Sequence, residues 1–161
     1  MSNTEPNTAP TMPDQSASGN EARIVVVRTN TKARIGQEIV IGPHRLLSDE
    51  PEPVGDDTGP TPYNFLSAAL GSCTAMTLTL YARRKEWPLE SVSVVLTHQK
   101  IDAESCNGCA TEQGKVDHIE RAIELGGPLS EDQRARLLEI AEKCPVRRSL
   151  ESEIHIESRL V

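Results

Sequence analysis

Aromatic residues make up only 2% of the 161-residue chain, namely Trp87, Tyr63, Tyr81 and Phe65. So few rings exclude the stacking platforms that hold single-stranded nucleic acid, and they leave the core to Val, Ile, Leu and Ala. Positive charge is scarce as well. Lys plus Arg number 17 against 24 Asp plus Glu, which gives a formal charge of −7 and a pI near 5.1. The densest basic runs, Arg83-Arg84-Lys85 and Arg147-Arg148, are short, whereas gripping phosphates needs clustered cations. No nucleic-acid partner is expected. No uninterrupted apolar run reaches the roughly 18 residues of a membrane span, so no membrane partner is expected either. Residues 1–20 hold no Lys or Arg and no apolar segment, unlike a secretory leader. Val161 follows Ser158-Arg159-Leu160, so the end is not a peroxisomal address. A cytoplasmic location is expected. Four cysteines are too few for a disulfide-stapled secreted scaffold. In a reducing compartment they are catalytic, redox-active, metal-binding or simply buried.

What is present suits one domain with a tail. Residues 1–20 are rich in Asn, Thr, Pro and Ser and cannot bury enough apolar surface to offset ordering entropy, which predicts a disordered tail. The folded part is expected over residues 21–161. Ile24 to Val27 is an apolar, mostly β-branched run and predicts a strand; residues 35–41 and 44–47 predict two more. The acidic, Pro- and Gly-rich residues 48–61 form a long loop, and such loops are more often functional than idle. Thr61-Pro62 is a helix start, with Thr as N-cap and Pro at the first helical position. Leu66, Leu70, Cys73, Met76 and Leu80 then recur at helical spacing up to Lys85. Alternation predicts strands around residues 92–98 and 116–125, joined by a polar loop. Ser130 to Gln133 is a capping box that opens a second helix, with a stripe of Leu137, Leu138 and Ala141. Ile154, Ile156 and Leu160 alternate with charged or polar residues, which predicts a last strand. Runs of strands around two main helices imply an α+β fold with an antiparallel sheet. The first helix is apolar on more than one face and needs cover on more than one side, so a dimer is expected.

Cys73 follows Gly71-Ser72 in the first helix. It reads either as a small buried hydrophobe or, if the helix restarts at Ser72, as a thiol activated by free backbone N–H groups. Cys144 precedes Pro145, which makes it the N-cap of a further helical turn, with Arg147 and Arg148 nearby. Two helix-associated cysteines that met across a helix contact would suit reversible oxidation, sulfenate first and disulfide second. Cys106 and Cys109 form one C-x-x-C in the polar loop. For that pair no essential role, an auxiliary dithiol and a metal site all stay open, although no standard zinc spacing accompanies it.

Two stretches carry a family resemblance. GPTPYNFLSAALGSCTAMT, residues 59–77, resembles the first cysteine motif of the OsmC/Ohr family, and LLEIAEKCPV, residues 137–146, resembles the second. The resemblance implies an OsmC-like fold built as an intertwined homodimer. It also implies a thiol peroxidase without cofactor or metal. Cys73 would attack a hydroperoxide substrate, Cys144 would resolve the sulfenate to a disulfide, and an external dithiol would reduce that disulfide. Family peroxidases carry a Glu in the segment before the helix, paired with an Arg from the first hairpin. Here that position is Tyr63. Glu50 is the candidate replacement acid, with Arg28 or Arg34 as its partner. Alternatives are a binding or redox-sensing module on the same fold without efficient turnover, and a zinc-binding regulator that uses Cys106 and Cys109.

Overall fold

The computed structural model describes residues 24–160; the expected disordered tail, residues 1–20, lies outside them. Three strands open the described chain: β1 (Val25–Thr29), β2 (Gln37–Ile41) and β3 (His44–Ser48). They form an antiparallel meander in the order β1-β2-β3. The long helix α1 (Pro62–Arg84) follows, then the hairpin β4 (Ser91–Asp102) and β5 (Lys115–Gly126), with a short 3₁₀ turn at Ala103–Ser105. Helix α2 (Glu131–Ala141) and the short helix α3 (Pro145–Leu150) complete the regular structure. The α+β class is as expected, but the strands make two separate antiparallel sheets and not one.

The helix ends follow local chemistry. Thr61 caps α1, its Oγ1 accepting from the Asn64 N–H at 3.2 Å, with Pro62 at the first position. Ser130 and Gln133 make both bonds of the capping box on α2. Cys144 is the N-cap residue of α3, and Pro145 follows it. Asp49 organises the loop before α1. Its carboxylate accepts from the Thr58 hydroxyl at 2.8 Å and from the backbone N–H groups of Glu50, Asp56 and Thr58. These donors, Thr58 first, hold the Asp49 carboxyl below the usual range.

The faces of the helices differ from expectation. On α1 the buried positions are Leu70, Gly71, Thr74, Leu78 and Ala82, while Leu66, Met76 and Leu80 are exposed. Apolar residues surround most of this helix, so their spacing does not select a face; contact with β4, α2 and α3 does. By length and composition α1 is apolar enough to cross a membrane, although no single run is. On α2, Leu137, Ile140 and Ala141 are buried, and Leu138 is exposed. The core joins Leu78 and Ala82 of α1 to Leu129 and the α2 trio, with Tyr81, Trp87, Leu89, Val92, Ile123 and Leu125 packed around them.

The last strand is not formed. Residues 153–160 take no regular structure. A strand needs a hydrogen-bonded neighbour and a buried face, and within one chain this segment has neither, since Ile154, Ile156 and Leu160 are exposed.

The corrected face of α2 is testable. Leu137 is fully buried and Leu138 is 59% exposed. Leu137→Ala is expected to lower unfolding free energy by about 2–5 kcal/mol in urea denaturation, and Leu138→Ala by less than about 0.5 kcal/mol. Equal losses would contradict the packing described.

Candidate redox site

Cys73 and Cys144 are both free thiols, and they lie near enough for each to perturb the other's titration, where α1 packs against α2 and α3. Cys73 is half-buried and Cys144 has no accessible surface. The activation suggested by Gly71-Ser72 does not occur. Helix α1 runs unbroken through both residues, and the Ser72 hydroxyl donates back to the Ala69 carbonyl at 3.2 Å. Gly71 serves packing instead: a Cβ there would stand 2.7 Å from Leu96 Cδ1 on β4. The glycine therefore lets strand and helix approach closely.

The electrostatics of the two sulfurs differ. Burial pushes the Cys73 thiol up, and adjacent Cys144 adds to the rise beyond what the Val146 N–H and the Thr77 hydroxyl offset. Burial also pushes the Cys144 thiol up, but the Arg147 N–H, the Cys73 thiol, the Thr74 hydroxyl and the Val146 N–H outweigh it, and the net direction is down. The N–H groups at the start of α3 act through proximity, since no formal side-chain cap bond closes at Cys144. Of the two sulfurs, Cys144 is the one whose surroundings favour the thiolate. The Arg147 guanidinium is not aimed at the sulfur; it is paired with Glu142 and with Glu151 at 2.9 Å.

Arg121 braces this arrangement from β5. It donates to Thr74 Oγ1 at 2.9 Å, to the Ala141 carbonyl at 3.3 Å and to Glu142 Oε1 at 2.7 Å. Thr74 in turn donates to the Leu70 carbonyl at 2.8 Å. Sequence reasoning overlooked Arg121. The signal was a cation on the same strand face as Ile119 and Ile123, where an apolar residue is expected.

A cleft of about 730 Å³ opens between α1, the β4–β5 hairpin and α3. Leu70, Arg121, Glu142 and Arg147 are among its lining, whereas Cys73 and Cys144 are not. Also in the lining, Tyr63 stacks on His98, with ring centroids 4.6 Å apart. His98 Nε2 lies 2.8 Å from Asp117 Oδ1, and Lys100 donates to the same carboxylate at 2.9 Å. Lys100 first, and His98 second, hold the Asp117 carboxyl below the usual range. Tyr63, at the position where a Glu was sought, is thus part of an aromatic and imidazole wall. Cys106 and Cys109 are joined as a disulfide and border the same cleft. Among the described residues no group of three or more His, Cys, Asp or Glu side chains is placed to hold a metal.

Among the described residues, no hydrogen bond or ion pair links the Glu50 side chain to Cys73 or Cys144. Arg34 is engaged elsewhere: its backbone N–H donates to Asp56 Oδ2 at 2.6 Å, and its guanidinium pairs with Asp56 and the Pro53 carbonyl. Among the described residues, neither Glu50 nor Arg28 makes an ion pair.

Two thiols in contact titrate as a pair, in two macroscopic steps. Thiolate absorbance is expected to rise first below the ordinary cysteine range and again above it. Cys73→Ala removes a donor to Cys144 and leaves its burial, so the remaining thiol should titrate higher than the first wild-type step. A single wild-type step near the free-cysteine value of about 8.5 would contradict the contact.

A family model described as OsmC-like protein matches residues 55–159. No match was found among curated protein sequences. Similar solved structures include the OsmC-like protein from Mycoplasma pneumoniae, at 18% identity and a TM-score of 0.65, covering 83% of this chain and 89% of that one. The organic hydroperoxide resistance protein OsmC from Legionella pneumophila gives 18% identity and 0.59, with 83% and 91% covered. The organic hydroperoxide resistance protein OhrB of Bacillus subtilis gives 16% and 0.54, with 80% and 90% covered. At these identities the structures speak for the fold; the family match spans most of the chain and includes both Cys73 and Cys144, and the chain belongs to the OsmC-like protein family.

Proposed function

We propose that the chain is a cysteine-based peroxidase that reduces organic or hydrogen peroxides. What supports this reading is that two free cysteines from remote parts of the sequence lie near enough to perturb each other, one partly exposed and the other fully enclosed. Some structurally similar proteins are named for organic hydroperoxide resistance.

The accessible sulfur, Cys73, takes the peroxide. Its proton passes first to the Cys144 thiolate, which lies beside it. The Cys73 thiolate then attacks the O–O bond; one oxygen stays on sulfur as a sulfenic acid, and the other leaves as an alcohol, or as water from hydrogen peroxide, on taking a proton. Cys144 displaces the sulfenic hydroxyl, a disulfide forms and water departs. Two thiols and one hydroperoxide thus become one disulfide, one alcohol and one water. An external dithiol restores the thiols, and a reducing, cytoplasmic setting is part of this reading. Peroxide is expected to consume two thiols per chain. Cys144→Ser should stop at a sulfenate trapped by dimedone on Cys73, and Cys73→Ser should abolish reaction. Trapping on Cys144 in Cys73→Ser would reverse the roles, and no thiol loss in the wild type would end the proposal. That last outcome would favour a binding or redox-sensing module, a reading for which the raised Cys73 thiol speaks.

The active form in this proposal is a homodimer. Val25, Val27, Leu46 and Leu47 on the meander, Met76 and Leu80 on α1, and Ile154 and Ile156 near the C-terminus are all exposed in the single chain. Apolar surface spread over three elements marks an unfilled contact. A second copy would cover α1 and give the C-terminal segment a pairing partner. Sedimentation is expected to give twice the 17.6 kDa chain mass, and Ile154→Asp with Ile156→Asp should lower it. A monomer at micromolar concentration would refute the dimer.

A further inference from the structure

Thr74 and Cys144 are both fully enclosed, and one nitrogen of Arg121 ties their surroundings together. Nη1 donates to Thr74 Oγ1 at 2.9 Å and to the Ala141 carbonyl at 3.3 Å. That same carbonyl accepts the backbone N–H of Cys144 at 3.3 Å. Nη2 is held by Glu142 Oε1 at 2.7 Å, which leaves the guanidinium little room to turn. Charged and titratable neighbours of this junction are Cys73 on α1, Arg121 on β5, and Glu142 and Arg147 on the α2–α3 segment. The Arg147 guanidinium is turned to Glu142 and Glu151.

A hydroxyl has one proton to give and two lone pairs to receive. Arg121 occupies one lone pair of Thr74. The Thr74 proton goes to the Leu70 carbonyl at 2.8 Å. That carbonyl lies inside α1, where the helix ladder already supplies it with a backbone donor, so the hydroxyl bond to it is dispensable. A thiolate is the better acceptor, because a hydrogen bond to an anion is charge-assisted. Rotation about the Cβ–Oγ1 bond redirects the proton without moving the oxygen.

We propose that Arg121 is a positioning residue for the enclosed sulfur: it fixes the Thr74 oxygen while the Thr74 proton turns from the Leu70 carbonyl to Cys144 as that sulfur ionises. The hydroxyl is accordingly among the groups that draw the Cys144 thiol down. The inference rests on the peroxidase reading for the use made of this thiolate. There the hydroxyl faces the sulfur before Cys144 accepts the Cys73 proton. It faces the carbonyl while Cys144 holds that proton. It faces the sulfur again as Cys144 attacks the sulfenic acid and its proton leaves with the hydroxyl as water.

The test follows thiolate absorbance against pH in proteins carrying Cys73→Ala, so that Cys144 is the free thiol and Cys106 and Cys109 stay joined. Thr74→Val keeps the shape and removes the hydroxyl, whereas Thr74→Ser keeps the hydroxyl. Val is expected to raise the Cys144 midpoint by about one unit, tenfold in the ionisation constant, and Ser to hold it within about 0.3 unit. The Arg121 arm carries Glu142→Gln throughout, so that no carboxylate loses its cation. There Arg121→Met should raise the midpoint too, yet add less than about 0.3 unit once Thr74→Val is present. Arg121→Gln replaces the Met variant if that one does not fold. No shift with Val, a Ser variant that titrates like Val, or Arg121 and Thr74 shifts that simply add would each overturn the proposal. Failure of peroxide to consume thiols ends the peroxidase reading instead and leaves these midpoints standing.

Discussion

One guanidinium ties α1 to the end of α2, on either side of the cysteine pair. Arg121 reaches from β5 to a hydroxyl on α1, a carbonyl at the end of α2 and the carboxylate of Glu142. Its side chain is only 11% exposed, and a charge so enclosed needs its partners, since an unpaired cation out of water is costly. Those partners lie beside the cysteines. Thr74 follows Cys73, and Glu142 stands two residues before Cys144. Satisfying Arg121 therefore sets the distance between α1 and the α2–α3 junction, and with it the contact of the two sulfurs. The same bonds orient Thr74, whose hydroxyl helps to lower the Cys144 thiol.

The pair divides accessibility and acidity between its members. The sulfur that solvent reaches is the one burial and its neighbour push up, and the enclosed sulfur is the one the first turn of α3 and Thr74 pull down. In the proposed reaction, proton transfer from Cys73 to Cys144 would leave the nucleophile on the accessible side. Enclosure keeps solvent from the Cys144 sulfur and leaves Cys73 as the open side of the pair.

Local signals were legible residue by residue. Thr61-Pro62, the Ser130 and Gln133 box, and Cys144-Pro145 each mark a helix start, because a cap acts within one turn and needs no distant partner. The alternation of β4 and β5 survived for a similar reason: a hairpin pairs neighbours in sequence. The face of α1 was not legible. With apolar residues nearly all round, Leu66, Met76 and Leu80 look as suited to burial as Leu70 and Leu78, and only docking on β4, α2 and α3 distinguishes them. Gly71-Ser72 left a helix restart open as one of two readings; the helix runs on, and Gly71 is a close approach to Leu96 Cδ1. The segment at residues 153–160 has a strand pattern but finds no partner inside one chain.

The amino-acid sequence alone determined where most elements begin and end, the α+β class, and which cysteines belong to helices. Those properties depend on contacts within a few residues, or on residue type. The tertiary structure decided which helix faces are buried, which of the two thiols is enclosed, that Arg121 braces them, and that the loop disulfide borders a cleft that Arg121 also lines. Each of these is a relation between residues remote in the chain, set by desolvation and packing once the elements dock, and no local pattern encodes it.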